Sequence, residues 1–87
     1  MQIKSGFMLR EVAGSWIVVP LGQRVVEFNG LMTLSESGAL IWKMLDAGAE
    51  TEELISIITS EYDIDEDTAR EDIHELIAAL EQKGLIE

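Results

Sequence analysis

The chain contains no cysteine, one proline, one histidine, and six Lys and Arg residues against seventeen Asp and Glu. Without cysteine there is no disulfide framework, no thiolate metal site and no Cys nucleophile. A single histidine excludes a multi-histidine metal centre, and the residues call for no cofactor. Long apolar runs are missing too. None approaches the roughly 20 residues of a membrane span. The opening stretch from Met1 to Gly6 lacks the basic-then-apolar pattern of a secretion signal. The expectation is a cytoplasmic protein with no membrane partner.

What is present suits one small folded unit. The 87 residues are 47% apolar and 26% charged, which reads as a single globular domain over residues 1–87. Its net charge of -11 is unevenly placed. Residues 1–34 carry Lys4, Arg10 and Arg24 against Glu11 and Glu27. Residues 35–87 carry Lys43, Arg70 and Lys83 against fifteen acids. Nucleic acids are bound by cations that displace counterions, so such a surface repels DNA and RNA. A basic or neutral partner is attracted instead. The plainer reading is that the acids keep a small domain soluble.

The charge boundary coincides with a change of sequence period. Segments 7–12, 16–21 and 24–29 are rich in Val, Ile and aromatics and are separated by Ala13-Gly14-Ser15 and Gly22-Gln23. They read as three strands of an antiparallel meander. Trp16-Ile17-Val18-Val19 is apolar on both faces, as in a middle strand covered on two sides. Pro20 cannot donate to a ladder and marks where pairing stops. In the third segment Val26 and Phe28 share one face, opposite Val25, Glu27 and Asn29.

From Leu34 the period becomes helical. Ser35 is a fitting N-cap for a first helix over 35–47, closed by Gly48. A second helix over 51–61 opens with Glu52 and Glu53 at the positive end of its dipole. A third, over 65–83, repeats Ala69, Ile73, Leu76, Ile77 and Leu80 on one face. Leu85-Ile86 then form a short return onto the core. The fold class is α+β: a three-stranded antiparallel sheet followed by three helices.

The polar constellations carry little catalytic chemistry. Asp63, Asp65 and Asp67 resemble the start of a calcium loop, but its sixth and twelfth positions are Thr68 and His74 where the loop needs Gly and Glu. Helix-start carboxylates facing a dipole explain these acids better. His74 has no second histidine and no nucleophile in a suitable context, and reads as a surface or groove-lining residue. Pairs such as Glu71 with Glu75 need a concave site before one pKa moves far enough for acid–base work, and a solvated face is the simpler account. Arg70 stands isolated among acids, and either holds a partner carboxylate or pairs with Glu66 one turn back. Trp16 and Trp42 lack the basic groove of a base-stacking platform and read as core. The strand over 24–29 is a sheet edge, and such edges invite a further strand or capture extended peptides.

Leu9-Arg10-Glu11-Val12 with Gly14 and the Trp16 strand resembles the opening of the PqqD family, the pyrroloquinoline quinone biosynthesis protein D family. Leu40-Ile41-Trp42 leading to Gly48, and Thr51-x-Glu53-Leu54-Ile55, continue the pattern. Tyr62-Asp63-Ile64-Asp65 through Ala69, Asp72-Ile73, Leu80 and Gly84-Leu85-Ile86 complete it. No single motif decides the matter, but the ordered set covers nearly the whole chain. Where the family often has Asn before the first helix's Glu, this chain has Leu34-Ser35-Glu36, one capping residue for another.

The resemblance implies a small winged-helix-like domain that is not an enzyme. It implies a recognition element for ribosomally made, modified peptides. Such a domain binds the leader of a precursor peptide and presents it to a modifying enzyme, commonly a radical S-adenosylmethionine enzyme. The leader adds as a strand beside the third strand, in a cleft closed by the third helix. Carried onto this sequence, backbone pairing falls on Val25, Val26, Glu27, Phe28 and Asn29. Arg70, Ile73, His74 and Ile77 form the cleft wall. The competing readings are a winged-helix nucleic-acid binder and a homodimeric interaction module using the same edge.

Overall fold

Alternating side chains over Phe7–Val12 form strand β1, and Ser15–Pro20 forms β2, joined by a two-residue turn at Ala13-Gly14. Both turn residues have positive φ, 51° and 81°, the backbone twist that suits a tight hairpin. The structure, a computed structural model, describes residues 2–27 and 32–86. Its sheet order is β1-β2-β3, antiparallel throughout, with β3 at Met32–Leu34. Helices α2 (Glu36–Asp46), α3 (Thr51–Glu61) and α4 (Glu66–Gln82) follow. The α+β class, with the sheet preceding three helices, is as the sequence implies.

The third strand is not where the Val-rich segment placed it. Arg24–Glu27 is a single helical turn, α1, and β3 lies further along the chain. Turn bonds hold it: Arg24 N–H donates to the Leu21 carbonyl at 3.0 Å and Val25 N–H to that of Gly22 at 3.2 Å. The Arg24 side chain fastens the turn to the start of β1. Its Nε donates to the Ser5 carbonyl at 3.0 Å, and its guanidinium lies 5.5 Å from the Phe7 ring centroid. Gly6, at φ +94°, admits that side chain, because a Cβ there would stand 2.6 Å from Arg24 Cγ. Tertiary contact thus overrides the β-propensity of Val25-Val26. Phe28 and Asn29 lie outside the described residues.

The core forms where the inner sheet face meets the helices. Val18, Leu45, Leu54, Ile73, Leu80 and Leu85 are its fully buried large side chains. Trp42 is buried, and Trp16 is half-buried against the core with Lys43 Nζ 4.3 Å from its ring centroid. The helices cover only one face of β2: Val18 points inward, whereas Ile17 and Val19 are half-buried and outside the core. Expected cover on both faces is therefore absent among the described residues. Leu85 is drawn in at the end of α4, where its N–H donates to the Leu80 carbonyl at 2.8 Å. A bridge between Ile3 and Ile86 ties the two ends of the described chain together.

Caps fix the helix starts that frame the site. Ser35 Oγ accepts from Gly38 N–H at 3.1 Å, and the Glu53 carboxylate accepts from Glu50 N–H at 3.2 Å. Asp65 accepts from Thr68 N–H at 3.1 Å, and hydrogen bonding with the Thr68 side chain first, then with this N–H, holds its carboxyl below the ordinary value.

Candidate functional site

Because β2 is central, β3 is paired on one side only among the described residues. Its partners are Trp16 for Leu34, Ile17 for Thr33 and Val18 for Met32. The other side faces a cleft of about 340 Å³ between β3 and α4. Met32, Thr33 and Leu34 form one wall, and Ser35, Ser37, Gly38 and Ile41 from the start of α2 form the lip and floor. Asp72, Glu75 and Leu76 of α4 form the opposite wall. These three recur at i, i+3 and i+4, so a regular helix brings them to one flank. The cleft has an apolar base, two carboxylates and no cation.

Edge and cleft together fit an extended chain. A strand laid beside β3 satisfies unpaired main-chain groups, while alternate side chains enter the space against α4. Among the described residues no three His, Asp or Glu side chains form a metal-holding group. Asp65 of the calcium-like run is instead the α4 cap.

None of the residues anticipated for the cleft wall lines this cleft, although Ile73 also lines a hollow beside it. Ile73 and Ile77 are core residues, 0% and 8% exposed. Arg70 and His74 lie on the other flank of α4, in a surface depression with Asp67, Glu71 and Ala78, and Glu75 borders both this depression and the cleft. Arg70 is held by two helices. It reaches both Glu52 carboxylate oxygens on α3, at 3.0 and 3.4 Å, and Glu66 at 3.1 Å. The hydrogen bonds it donates to Glu52 and then Glu66 raise its already high pKa. The suggested Glu66 pairing is therefore present, together with a longer-range contact that sequence spacing could not show. Val25, Val26 and Glu27 fall in the α1 turn, where the Val25 N–H is already taken by Gly22. The outer strand of the sheet is Met32–Leu34, and the α4 residues that line the cleft beside it, which sequence reasoning did not name, are Asp72, Glu75 and Leu76. Their signal was present: Leu76 borders the apolar stripe, and Met-Thr-Leu alternates just before the Ser35 cap.

The sequence pattern of the family described as Coenzyme PQQ synthesis protein D (PqqD) matches residues 15–86. The chain belongs to the PqqD family. The match begins at β2, and structural similarity extends it over β1. A solved structure of TbiB1 in complex with the TbiA(beta) leader peptide superposes with a TM-score of 0.80 at 25% identity, covering 100% of this chain and 95% of that one. A lasso peptide synthetase B1 complexed with its leader peptide gives 0.79 at 19% identity, covering 99% and 95%. No curated protein matches this PqqD-family chain.

No helix among the described residues is long and apolar enough to cross a membrane.

Proposed function

We propose that this PqqD-family chain is a non-catalytic peptide chaperone. It captures the leader of a ribosomally made precursor peptide as an added strand on β3 and presents the precursor to a modifying enzyme in the cytoplasm. The observation that carries the reading is the half-paired β3 edge facing an apolar-based cleft against α4. The leader peptides bound by TbiB1 and by lasso peptide synthetase B1 supply its chemistry. A radical S-adenosylmethionine enzyme is the proposed partner, from the family resemblance. The lowered pKa of Asp65 and the raised pKa of Arg70 are accounted for by a helix cap and an ion pair.

Amide-shift titration by NMR with a leader peptide encoded beside this chain's gene tests the proposal. Shifts at Met32–Leu34 and along Asp72–Leu76 are expected. Shifts confined to the α1 turn, or to the Arg70 and His74 flank, would overturn the location. Loss of self-association on adding peptide would identify a dimer formed through the same edge.

A further inference from the structure

A second cavity of about 310 Å³ continues the cleft beyond the Leu34 end of β3. The two spaces share Ser35, Ser37, Ile41 and Asp72, so they adjoin along the start of α2 and the first half of α4. Here the lining changes character. Ile58, Tyr62, Ile64 and Ile73 close the second space, bringing together the end of α3, the following loop and the first half of α4, with Glu36 of α2 as a further acid in its lining. The Ser35 and Ser37 hydroxyls lie 3.2 Å apart at the shared lip. An apolar hollow at the end of a strand-binding edge suits a side chain from the same extended peptide.

Asp72 stands at the join. It is exposed, and no hydrogen bond or ion pair reaches it from the described residues. Glu36 and Glu75, each of which lines one of these two cavities, also have no ion-pair partner among the described residues, but only Asp72 lines both. Glu52 and Glu66 share the Arg70 guanidinium, and Asp65 caps α4. Neither cavity lining contains a Lys or Arg. A carboxylate left unpaired beside an apolar hollow, on a chain of net charge -11, favours a cation from outside.

We infer that a bound peptide runs past the end of β3, seats one aromatic or branched aliphatic side chain in the second cavity, and offers a Lys or Arg to Asp72. An extended peptide repeats its facing every second residue, about 6.8 Å along the chain. The cation therefore lies two residues from the anchor, toward the stretch paired with β3. Asp72 and Tyr62 become specificity-determining residues. This rests on the proposed strand addition and extends it to what the peptide must carry.

A random-peptide display library selected on the folded full chain tests the pairing, with selections repeated on Asp72→Asn, Tyr62→Ala and, as a control on the opposite flank, Glu71→Gln. Wild-type and Glu71→Gln selections should both enrich an apolar anchor two residues from a Lys or Arg. Asp72→Asn should lose the cation preference but keep the anchor, with individual peptides weakened about two- to fivefold. Tyr62→Ala, checked for folding by circular dichroism, should relax the anchor and weaken the same peptides about tenfold. Selected peptides that shift the Met32–Leu34 amides but show no cation preference, or an anchor indifferent to Tyr62→Ala, would overturn this inference and leave strand addition standing. Failure to enrich any peptide, or binding that leaves those amides unmoved, would overturn the strand-addition reading and this inference with it.

Discussion

The two flanks of α4 have similar composition and opposite circumstances. On one, Arg70 is locked to Glu52 and Glu66, beside exposed His74. On the other, Asp72, Glu75 and Leu76 face an open cleft, and neither carboxylate has an ion-pair partner among the described residues. The helix pattern alone treats these flanks alike, because each lies beside the same buried stripe of Ala69, Ile73, Ile77 and Leu80. What separates them is the neighbouring element. Helix α3 closes the Arg70 flank, and the edge strand β3 leaves the other open. Polarity marks a surface; the neighbour decides whether it is finished within the chain or awaits a partner.

The sharpest division lies between adjacent residues of α4. Ile73 is 0% exposed, so Ile73→Ala should lower unfolding stability by about 2–5 kcal/mol through lost burial and a residual cavity. Urea unfolding checks this. Leu76 is half-buried on the cleft wall. Leu76→Asp should leave the fold intact by circular dichroism and weaken leader-peptide affinity about tenfold or more, read by calorimetry. His74→Ala should leave that affinity unchanged. Were His74→Ala the damaging change and Leu76→Asp the silent one, the two flanks would have to exchange roles.

This division also shows what the sequence makes legible. Ile73, Leu80 and the rest of the α4 stripe are readable because their burial follows from a local 3.6-residue period. The Ser35 and Asp65 caps are readable for the same reason, since their partners lie three residues away. The third strand was not. Val25-Val26 have stronger β-propensity than Met32-Thr33-Leu34, but Arg24 ties their turn to Ser5 and Phe7, nineteen and seventeen residues away. The residues expected to pair with a peptide were tied to that segment, and Val25, Val26 and Glu27 lie in the α1 turn. Arg70 and His74 satisfy the same helical spacing as Asp72 and Leu76, and only the position of α3 distinguishes the two flanks. The family resemblance supplied the kind of site, while its residues required the tertiary arrangement.

The open flank is also the more electrostatically exposed. Asp72 and Glu75 lie about one helical turn apart on the cleft wall, so a cationic leader should associate faster at low salt. Asp72→Asn combined with Glu75→Gln should slow that association a few-fold and flatten its salt dependence. The matching change on the closed flank, Glu66→Gln, should leave the rate alone because Arg70 already neutralises that site. Stopped-flow measurement across ionic strength separates the two. A rate indifferent to salt in the parent protein would remove the electrostatic part of the comparison.

The smallest expected effect concerns the common start of both flanks. Asp65 is exposed and accepts from Thr68 at the first turn of α4, and those hydrogen bonds lower its pKa from the ordinary 3.8. A carboxyl lowered on folding contributes stability that is present above its unfolded value and is lost as pH falls through its folded value. The window therefore opens near pH 4 and extends downward; nothing should be seen near neutrality. Asn also caps helices but does not titrate there. Thermal unfolding of Asp65→Asn should show a shallower decline below about pH 4 than the parent, with similar midpoints where Asp65 is ionised. Because Arg70 and Asp72 both follow this cap within two turns, acid loss of the cap should loosen the two flanks together. Amide exchange at Ala69–Ile73 in the acid window would show it. Loosening of the cleft flank alone would mean that α3, through Glu52 and Arg70, holds its side of the helix without the cap.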